Sequence, residues 1–289
     1  MICWSPGLFG HPDHHPMGTL YLVATPIGNL EDITLRALRI LKEVTLIAAE
    51  DTRRARVLAQ RYEIETPITS YFEGNKLAKL GTVLEALDAG DLALISEAGM
   101  PGLSDPGYEF IRAAIKRGHP VVPVPGPSAP VTALVVSGLP SDSFLYLGFL
   151  PRRRSARRRL LAGVSRECRT LVAFEAPHRL LASLADMETV LGDRPVAICR
   201  ELTKLHEEVW RGRLSQARAH FNEVRPRGEF TMVIGGATEE MERWSEDQVR
   251  AALEDLRVQG VRHSAAARRV AKASGWNRRE VYALGLKED

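Results

Sequence analysis

Short aliphatic runs alternate with amphipathic helical stretches from residue 19 to residue 124, and this alternation restricts the fold more than any other feature of the chain. Residues 19–24, 45–49, 92–96 and 120–124 read as strands, being short and rich in aliphatic side chains. Residues 32–43, 76–90 and 108–117 read as helices, with Leu35, Leu38 and Leu41 on one side of the first and Gly90 and Gly118 closing the other two. Strands separated by crossover helices form a largely parallel sheet with helices on its faces. After Gly138, Leu139 and Pro140 the pattern changes. Strands at 144–149, 169–174 and 195–201 flank a helix at 179–191, and the pair 207–211 and 230–234 suggests antiparallel additions, hence a mixed sheet. Three short helices follow at 246–258, 264–273 and 277–284, the last two shaped like a small helix-turn-helix unit around Gly275. Such a unit is either a helical cap or a nucleic-acid module. The expected class is therefore α/β with two α/β domains, a parallel-sheet N-terminal domain at 18–140 and a mixed-sheet C-terminal domain at 141–238. A linker and small helical appendage occupy 239–289. With 289 residues and 45% hydrophobic content, the chain carries enough apolar material for cores of that number.

In an open parallel sheet, ligands bind outside the carboxyl ends of the strands, so the loops leaving those ends are where chemistry belongs. Three such loops are rich in Gly and Pro. The first, Thr25, Pro26, Ile27, Gly28, Asn29 and Leu30, has one glycine and the wrong order for a dinucleotide turn. The second runs from Glu97 to Gly107 and is longer than a turn needs. Its glycines admit a ligand close to the backbone, and its prolines stiffen it. The third, Pro125, Gly126, Pro127, Ser128 and Ala129, leads into an apolar helix whose unpaired N–H groups can seat a carboxylate or phosphate.

Bulk properties narrow the class further. No run approaches the roughly 18 apolar residues of a membrane span. Residues 1–17 have no secretory pattern and read as a disordered extension, with folded sequence starting near Met17. Cys3, Cys168 and Cys199 have neither disulfide density nor zinc-ligand spacing, which points to a reducing, cytoplasmic compartment and no metal. The net charge is only +3, but its distribution is uneven. Arg152, Arg153, Arg154, Arg157, Arg158 and Arg159 crowd one segment, and Arg262, Arg268, Arg269, Lys272, Arg278 and Arg279 form a second basic set. An acidic stretch, Glu239, Glu240, Glu242, Glu246 and Asp247, reads as a solvated linker between them. Guanidinium groups pair with phosphates, so Arg152, Arg153, Arg154, Arg157 and Arg158 are candidate RNA contacts.

The string at 95–107, followed by 125–129, resembles the cofactor-binding segments of the tetrapyrrole (class III) methylases, and the resemblance spans about residues 17–236. LVATPIGNL at 22–30, AEDTR at 49–53, EAPHR at 175–179 and ELTK at 201–204 are most similar to the branch that methylates a cytidine 2′-hydroxyl in ribosomal RNA. Where that branch commonly has Asp and then Ala-Gly-Thr-Pro, this chain has Glu97 and Met100. The resemblance implies two α/β domains with S-adenosylmethionine in the cleft between them, a homodimer, and 16S ribosomal RNA in the 30S subunit as substrate. It implies cofactor contacts at Thr25, Pro26, Gly28, Glu97, Gly99, Pro101, Ser104, Asp105, Pro125, Gly126, Ser128, Ala129, Phe174, Thr231 and Met232. A porphyrinoid methyltransferase and a non-catalytic ribosome-assembly factor are the alternatives.

A ribose hydroxyl is a poor nucleophile when neutral, so a base must take its proton. Glu50, Asp51, Glu201 and Glu207 are candidates, with Arg53, Arg200 and Lys204 as charge partners. Asp51 with Arg53, just past a strand end, comes first, and His178, which can act as base near neutral pH, comes second; Glu201 and Lys204 complete the candidate catalytic set.

Overall fold

The computed structural model describes residues 17–237 and 244–285. The expected extension at 1–16, with Cys3, and the acidic residues Glu239, Glu240 and Glu242 lie outside the described residues. Two compact units divide at Gly236 and Ala237.

Five strands form the first sheet: β1 (Leu20–Val23), β2 (Leu46–Ala49), β3 (Ile68–Ser70), β4 (Leu92–Ile95) and β5 (Val121–Val124). Their order is β3-β2-β4-β1-β5, all parallel, with Leu20 in register with both Leu92 and Val121. The period-2 alternation of strand side chains serves two cores. Ala93 and Ile95 join Ala37, Ile40, Leu41, Ala55 and Leu58 on one face, whereas Leu92 and Leu94 join Val83, Leu87 and Phe110 on the other. The covering helices are α1 (Leu35–Glu43), α2 (Thr52–Tyr62), α3 (Lys76–Ala89) and α4 (Tyr108–Lys116).

Helix α1 differs from the sequence expectation. It starts at Leu35, where Thr34 caps it by accepting from the Ala37 amide, and a separate 3-10 turn, Leu30–Asp32, precedes it. Leu35 is 87% exposed, and the buried face is Ala37, Ile40 and Leu41. Six residues turn an α-helix by about 240°, so Leu35 and Leu41 cannot share a face. Helix α2 and strand β3 were not anticipated.

Helix α5 (Ala129–Ser137) leads to the second sheet, β6 (Phe144–Phe149), β7 (Thr170–Glu175), β8 (Pro195–Arg200), β9 (Glu208–Arg213) and β10 (Phe230–Ile234). Its order is β6-β7-β10-β8-β9. Strands β6 and β7 are parallel and the other pairings antiparallel, so the sheet is mixed. The two late strands are antiparallel additions, but they do not pair with each other: β9 pairs with β8, and β10 inserts between β7 and β8. Helices α6 (Arg154–Gly163), α7 (Leu180–Leu191) and α8 (Leu214–Glu223) contribute Leu161, Leu184, Met187 and Phe221 to one face. On the other face Ala133 and Leu134 of α5 pack with Val172, Ala197, Cys199 and Val233, and Ile27 of the first loop joins them.

The second unit contains α9 (Glu246–Val258), α10 (His263–Ser274) and α11 (Arg278–Leu284), and has its own core of Val249, Leu253, Ala266, Ala267, Val270 and Val281. Among the described residues, no helix is long and apolar enough to cross a membrane.

Candidate active site

Strands β4, β1 and β5 are adjacent in the sheet, so the three Gly/Pro loops that leave their carboxyl ends emerge side by side. The first and second are stitched by backbone. Thr25 and Gly99 form an isolated antiparallel bridge, N–O distances 2.9 and 3.0 Å, and the Ser96 hydroxyl donates to the Gly99 carbonyl at 3.2 Å. Gly99 sits at φ +81°, a conformation natural to glycine. A Cβ built there would stand 3.6 Å from Ile27 Cγ2 and 3.7 Å from the Pro127 carbonyl oxygen, so all three loops meet around this backbone position.

They enclose a cavity of about 410 Å³, in the size range of small-molecule sites. Of the predicted cofactor residues, Glu97, Gly99, Ser104 and Asp105 line it from the second loop, and Ser128 and Ala129 from the start of α5. Phe174 and Thr231 line it from the second sheet. Thr25, Pro26, Gly28, Pro101, Pro125 and Gly126 are not among its lining residues. Thr25 and Pro101 are buried. Gly28 lies so close to the 202–204 segment that a Cβ would fall 2.5 Å from Lys204 Cγ. Gly126 abuts Ala24, where a Cβ would meet the alanine Cβ at 3.1 Å. Met232 is a correction: it is fully buried in the core beneath α7 and α8, because adjacent residues of a strand face opposite ways and Thr231 holds the cavity side.

The cavity is acidic on one side. Glu50, at the end of β2, lines it and accepts a hydrogen bond from the Glu97 amide at 3.1 Å. Burial raises the Glu50 carboxyl above its ordinary range despite that hydrogen bond. Asp105 is pushed up to about 7, by burial first and then by the negative charge of Glu50, with a hydrogen bond from Ser96 opposing. Before it in the chain, Ser104 adopts φ +66° and shares a 2.9 Å hydrogen bond with the Tyr146 hydroxyl. A non-glycine residue in this region is strained, and strain of this kind collects at functional sites. Glu97 pairs with Arg54 at 2.8 Å. The lining also includes the apolar side chains of Leu103, Phe149 and Leu202. Cys199 also lines the cavity, but burial pushes its thiol up to about 11, so it is no nucleophile at neutral pH.

The structure does not bring the first-choice catalytic pair to this cavity. Asp51 is the N-cap of α2, accepting from the Arg53 amide at 2.8 Å, and its carboxylate is gripped by the Arg53 guanidinium at 2.8 and 3.2 Å. Those hydrogen bonds hold Asp51 down at about 2, where a carboxylate has little appetite for a proton. Glu201 and Lys204 also lie outside the lining. Lys204 Nζ bridges Glu201 and Glu229 at 3.0 Å to each, and Glu229 does line the cavity, so this knot braces its edge. Glu207 accepts from the Thr203 amide, and Arg200 pairs with Glu208 at 3.3 Å. His178 is exposed and outside the lining. Its EAPHR string instead anchors the floor: the buried Glu175 carboxylate, itself part of the lining, holds Arg179, the Ser183 hydroxyl and the Ala176 amide.

The arginine segment is corrected too. From Arg154 onward it forms the start of α6, and Arg157 is 4% exposed, paired with the buried Asp186 at 2.6 Å. Arg157 therefore holds α6 to α7 and is closed to RNA. Arg154 and Arg158 also reach Asp186, at 3.2 and 3.8 Å. Arg152 and Arg153 are exposed. Sequence reasoning missed Phe149 and Glu229, which carry no motif and reach the cavity from the second sheet and its loops, and also Leu202, which sits inside the ELTK string while only its neighbours Glu201 and Lys204 were singled out.

A family model described as tetrapyrrole (corrin/porphyrin) methylases matches residues 19–218. A protein named ribosomal RNA small subunit methyltransferase I from Synechocystis sp. is 46% identical over 274 residues, covering 94% of this chain and 98% of that protein. One of the same name from Thermotoga maritima is 49% identical over 221 residues, covering 76% of this chain and 99% of that protein. Among solved structures, uroporphyrin-III C-methyl transferase from Thermus thermophilus complexed with S-adenyl homocysteine superposes with a TM-score of 0.55 at 22% identity. It covers 75% of this chain and 97% of that one, a likeness of fold.

Proposed function

The chain belongs to the tetrapyrrole (corrin/porphyrin) methylases, and from that premise we propose that it methylates the 2′-hydroxyl of a cytidine ribose in 16S ribosomal RNA of the small subunit, using S-adenosylmethionine. The observation that carries the substrate class is the 46% identity, end to end, with a protein named for small-subunit ribosomal RNA methylation. The cofactor reading is supported by the cavity itself. The left-handed Gly99 leaves backbone open between Ile27 and Pro127, and Glu50, Glu97 and Asp105 offer negative charge to a cationic sulfur.

When bound there, S-adenosylmethionine supplies a methyl group on a leaving thioether. The protein's own task is alignment and proton removal. Asp105 replaces Asp51 as the base: it lines the cavity, and a carboxyl near 7 is matched to taking a hydroxyl proton at neutral pH. The Ser104–Tyr146 hydrogen bond fixes the turn that carries Asp105, and Phe149 and Phe174 form an apolar wall that limits water. Arg152 and Arg153 remain free to meet RNA phosphate. Exposed Val131 and Val135 of α5 support a homodimer, which sedimentation would detect. An activity on ribosomal subunits supports a cytoplasmic location.

Incubation with labelled S-adenosylmethionine and unmethylated 30S subunits, followed by mapping of the label, tests the proposal. Label is expected on one cytidine 2′-oxygen of 16S RNA. Label on a porphyrinoid and never on RNA would select the other branch of the family, and no calorimetric heat with S-adenosylmethionine would favour an assembly factor.

A further inference from the structure

The second unit segregates its charge. On α9, Glu246 pairs with Arg250 and Glu254 with Arg257, each at 2.7 Å, and Asp247 and Asp255 add two further acids, so this helix carries more acid than base. From 262 to 285 the composition is different: Arg262, Arg268, Arg269, Lys272, Arg278 and Arg279 face a single acid, Glu280. That acid caps α11, its carboxylate accepting from the Asn277 amide. Arg262, Arg268, Arg269, Arg278 and Arg279 are all exposed, and none makes an ion pair among the described residues.

These arginines stand on a rigid base. Ala266, Ala267 and Val270 of α10 pack inward, and Arg268 and Arg269 fall on the opposite side of the helix. Gly275, left-handed at φ +69°, and Asn277, which caps α11, make a tight turn between the helices. Trp276 locks that turn by donating its indole N–H to the Trp244 carbonyl at 2.7 Å, and His263 joins the start of α10 to Tyr282 of α11 through a 3.1 Å hydrogen bond. A field of like charge held on a fixed scaffold, without internal partners, is costly unless an anion meets it.

We infer that the exposed arginines of α10 and α11 form a second, phosphate-directed RNA-binding face, one that is separate from the methylation cavity. Its partner is the sugar–phosphate backbone of the substrate RNA, so the identity of the partner rests on the ribosomal RNA reading above. Charge complementarity selects a polyanion, and the scarcity of exposed aromatic side chains on the two helices, where only Tyr282 qualifies, selects backbone contact over base stacking. The Thermotoga maritima relative is matched over 99% of its length by 221 residues of this chain. The family model matches residues 19–218, which precede the second unit, so the face lies outside the matched methylase region.

The test uses the full chain with Arg268, Arg269, Arg278 and Arg279 all changed to Ala, and a matched variant with all four changed to Lys. Affinity for protein-free 16S RNA and for 30S subunits is measured across a salt series. Loss of four phosphate contacts should lower the slope of log affinity against log salt by about 3 and weaken binding at least about tenfold at low salt. The Lys variant should keep the slope, and both should keep the melting temperature and S-adenosylmethionine affinity, which excludes misfolding. An unchanged slope in the Ala variant overturns the inference. So does loss of 30S binding with protein-free RNA affinity intact, which would assign the face to an acidic protein. If the wild-type chain methylates 16S RNA while the Ala variant binds normally, the face fails and the function stands. If the slope falls yet no RNA is ever methylated, the function fails and the face stands.

Discussion

Asp105 and Asp51 are the same side chain in opposite environments, and the difference decides which can accept a proton. Asp51 sits beside a guanidinium and two amides, which stabilise its charged form, whereas Asp105 is desolvated next to Glu50, which destabilises it. The pH dependence follows. Methyl transfer should rise with pH through about 7 as Asp105 ionises, and Asp105→Asn should lose that limb together with at least about a hundredfold of rate. Stability should move the other way. The folded carboxyl binds its proton up to about 7, but in the unfolded chain it releases it near 3.8, so its contribution is full below 3.8 and is lost as pH rises through 7. Asp105→Asn should therefore melt above the parent at pH 8 and lose that advantage by pH 4; an equal melting temperature at both would contradict the buried carboxyl. Asp51→Asn should instead leave the pH profile of methyl transfer in place. The sequence offered both aspartates in matching motifs, yet could not rank them, because the burial of Asp105 and the charge of Glu50, which arrives from β2, are set by tertiary packing.

At the scale of elements, the loops were legible and the arginine helix was not. Gly and Pro density marks a stiff, close-approach loop whatever surrounds it, and the strand order then places three such loops together. Gly99→Val should break this arrangement through the backbone. Space for a Cβ exists there, but φ +81° costs a β-branched residue about 1–2 kcal/mol or more, and relaxing it would undo the Thr25 bridge. Calorimetry should show S-adenosylmethionine affinity lost; normal affinity would mean that the loop is not the cofactor's seat. In contrast, arginines 152 to 159 read as an RNA-contacting segment because nothing local reveals Asp186 some thirty residues later. Asp186→Ala should cost about 3–5 kcal/mol in urea unfolding, since Arg157 would be left buried without a counter-charge. A cost below about 1 kcal/mol would return Arg157 to the surface. Helix α2 escaped notice although Ala55 and Leu58 mark its buried side, because its many arginines hide that short stripe, and in β3 three residues are too few for a strand pattern.

For the whole molecule, the net charge of +3 conceals two regions of opposite electrostatic character. The cavity gathers carboxylates to suit a cation, while α10 and α11 gather arginines to suit a polyanion, and the two lie in different compact units. If the division at Gly236 is also a division of labour, a chain ending at Gly236 should retain the cofactor site complete, because every residue lining the cavity precedes that point. A ligand that binds only the folded state at a hundred times its Kd stabilises it by about 2.7 kcal/mol. For a chain of this size that is a rise in melting temperature of roughly 5–10 °C. The shortened chain should show the same rise with S-adenosylmethionine as the full chain, yet hold RNA more weakly and with a flatter salt dependence. A full chain that responds to the cofactor beside a folded but unresponsive shortened one would show that the appendage takes part in cofactor binding, and the separation of chemistry from RNA capture would fall.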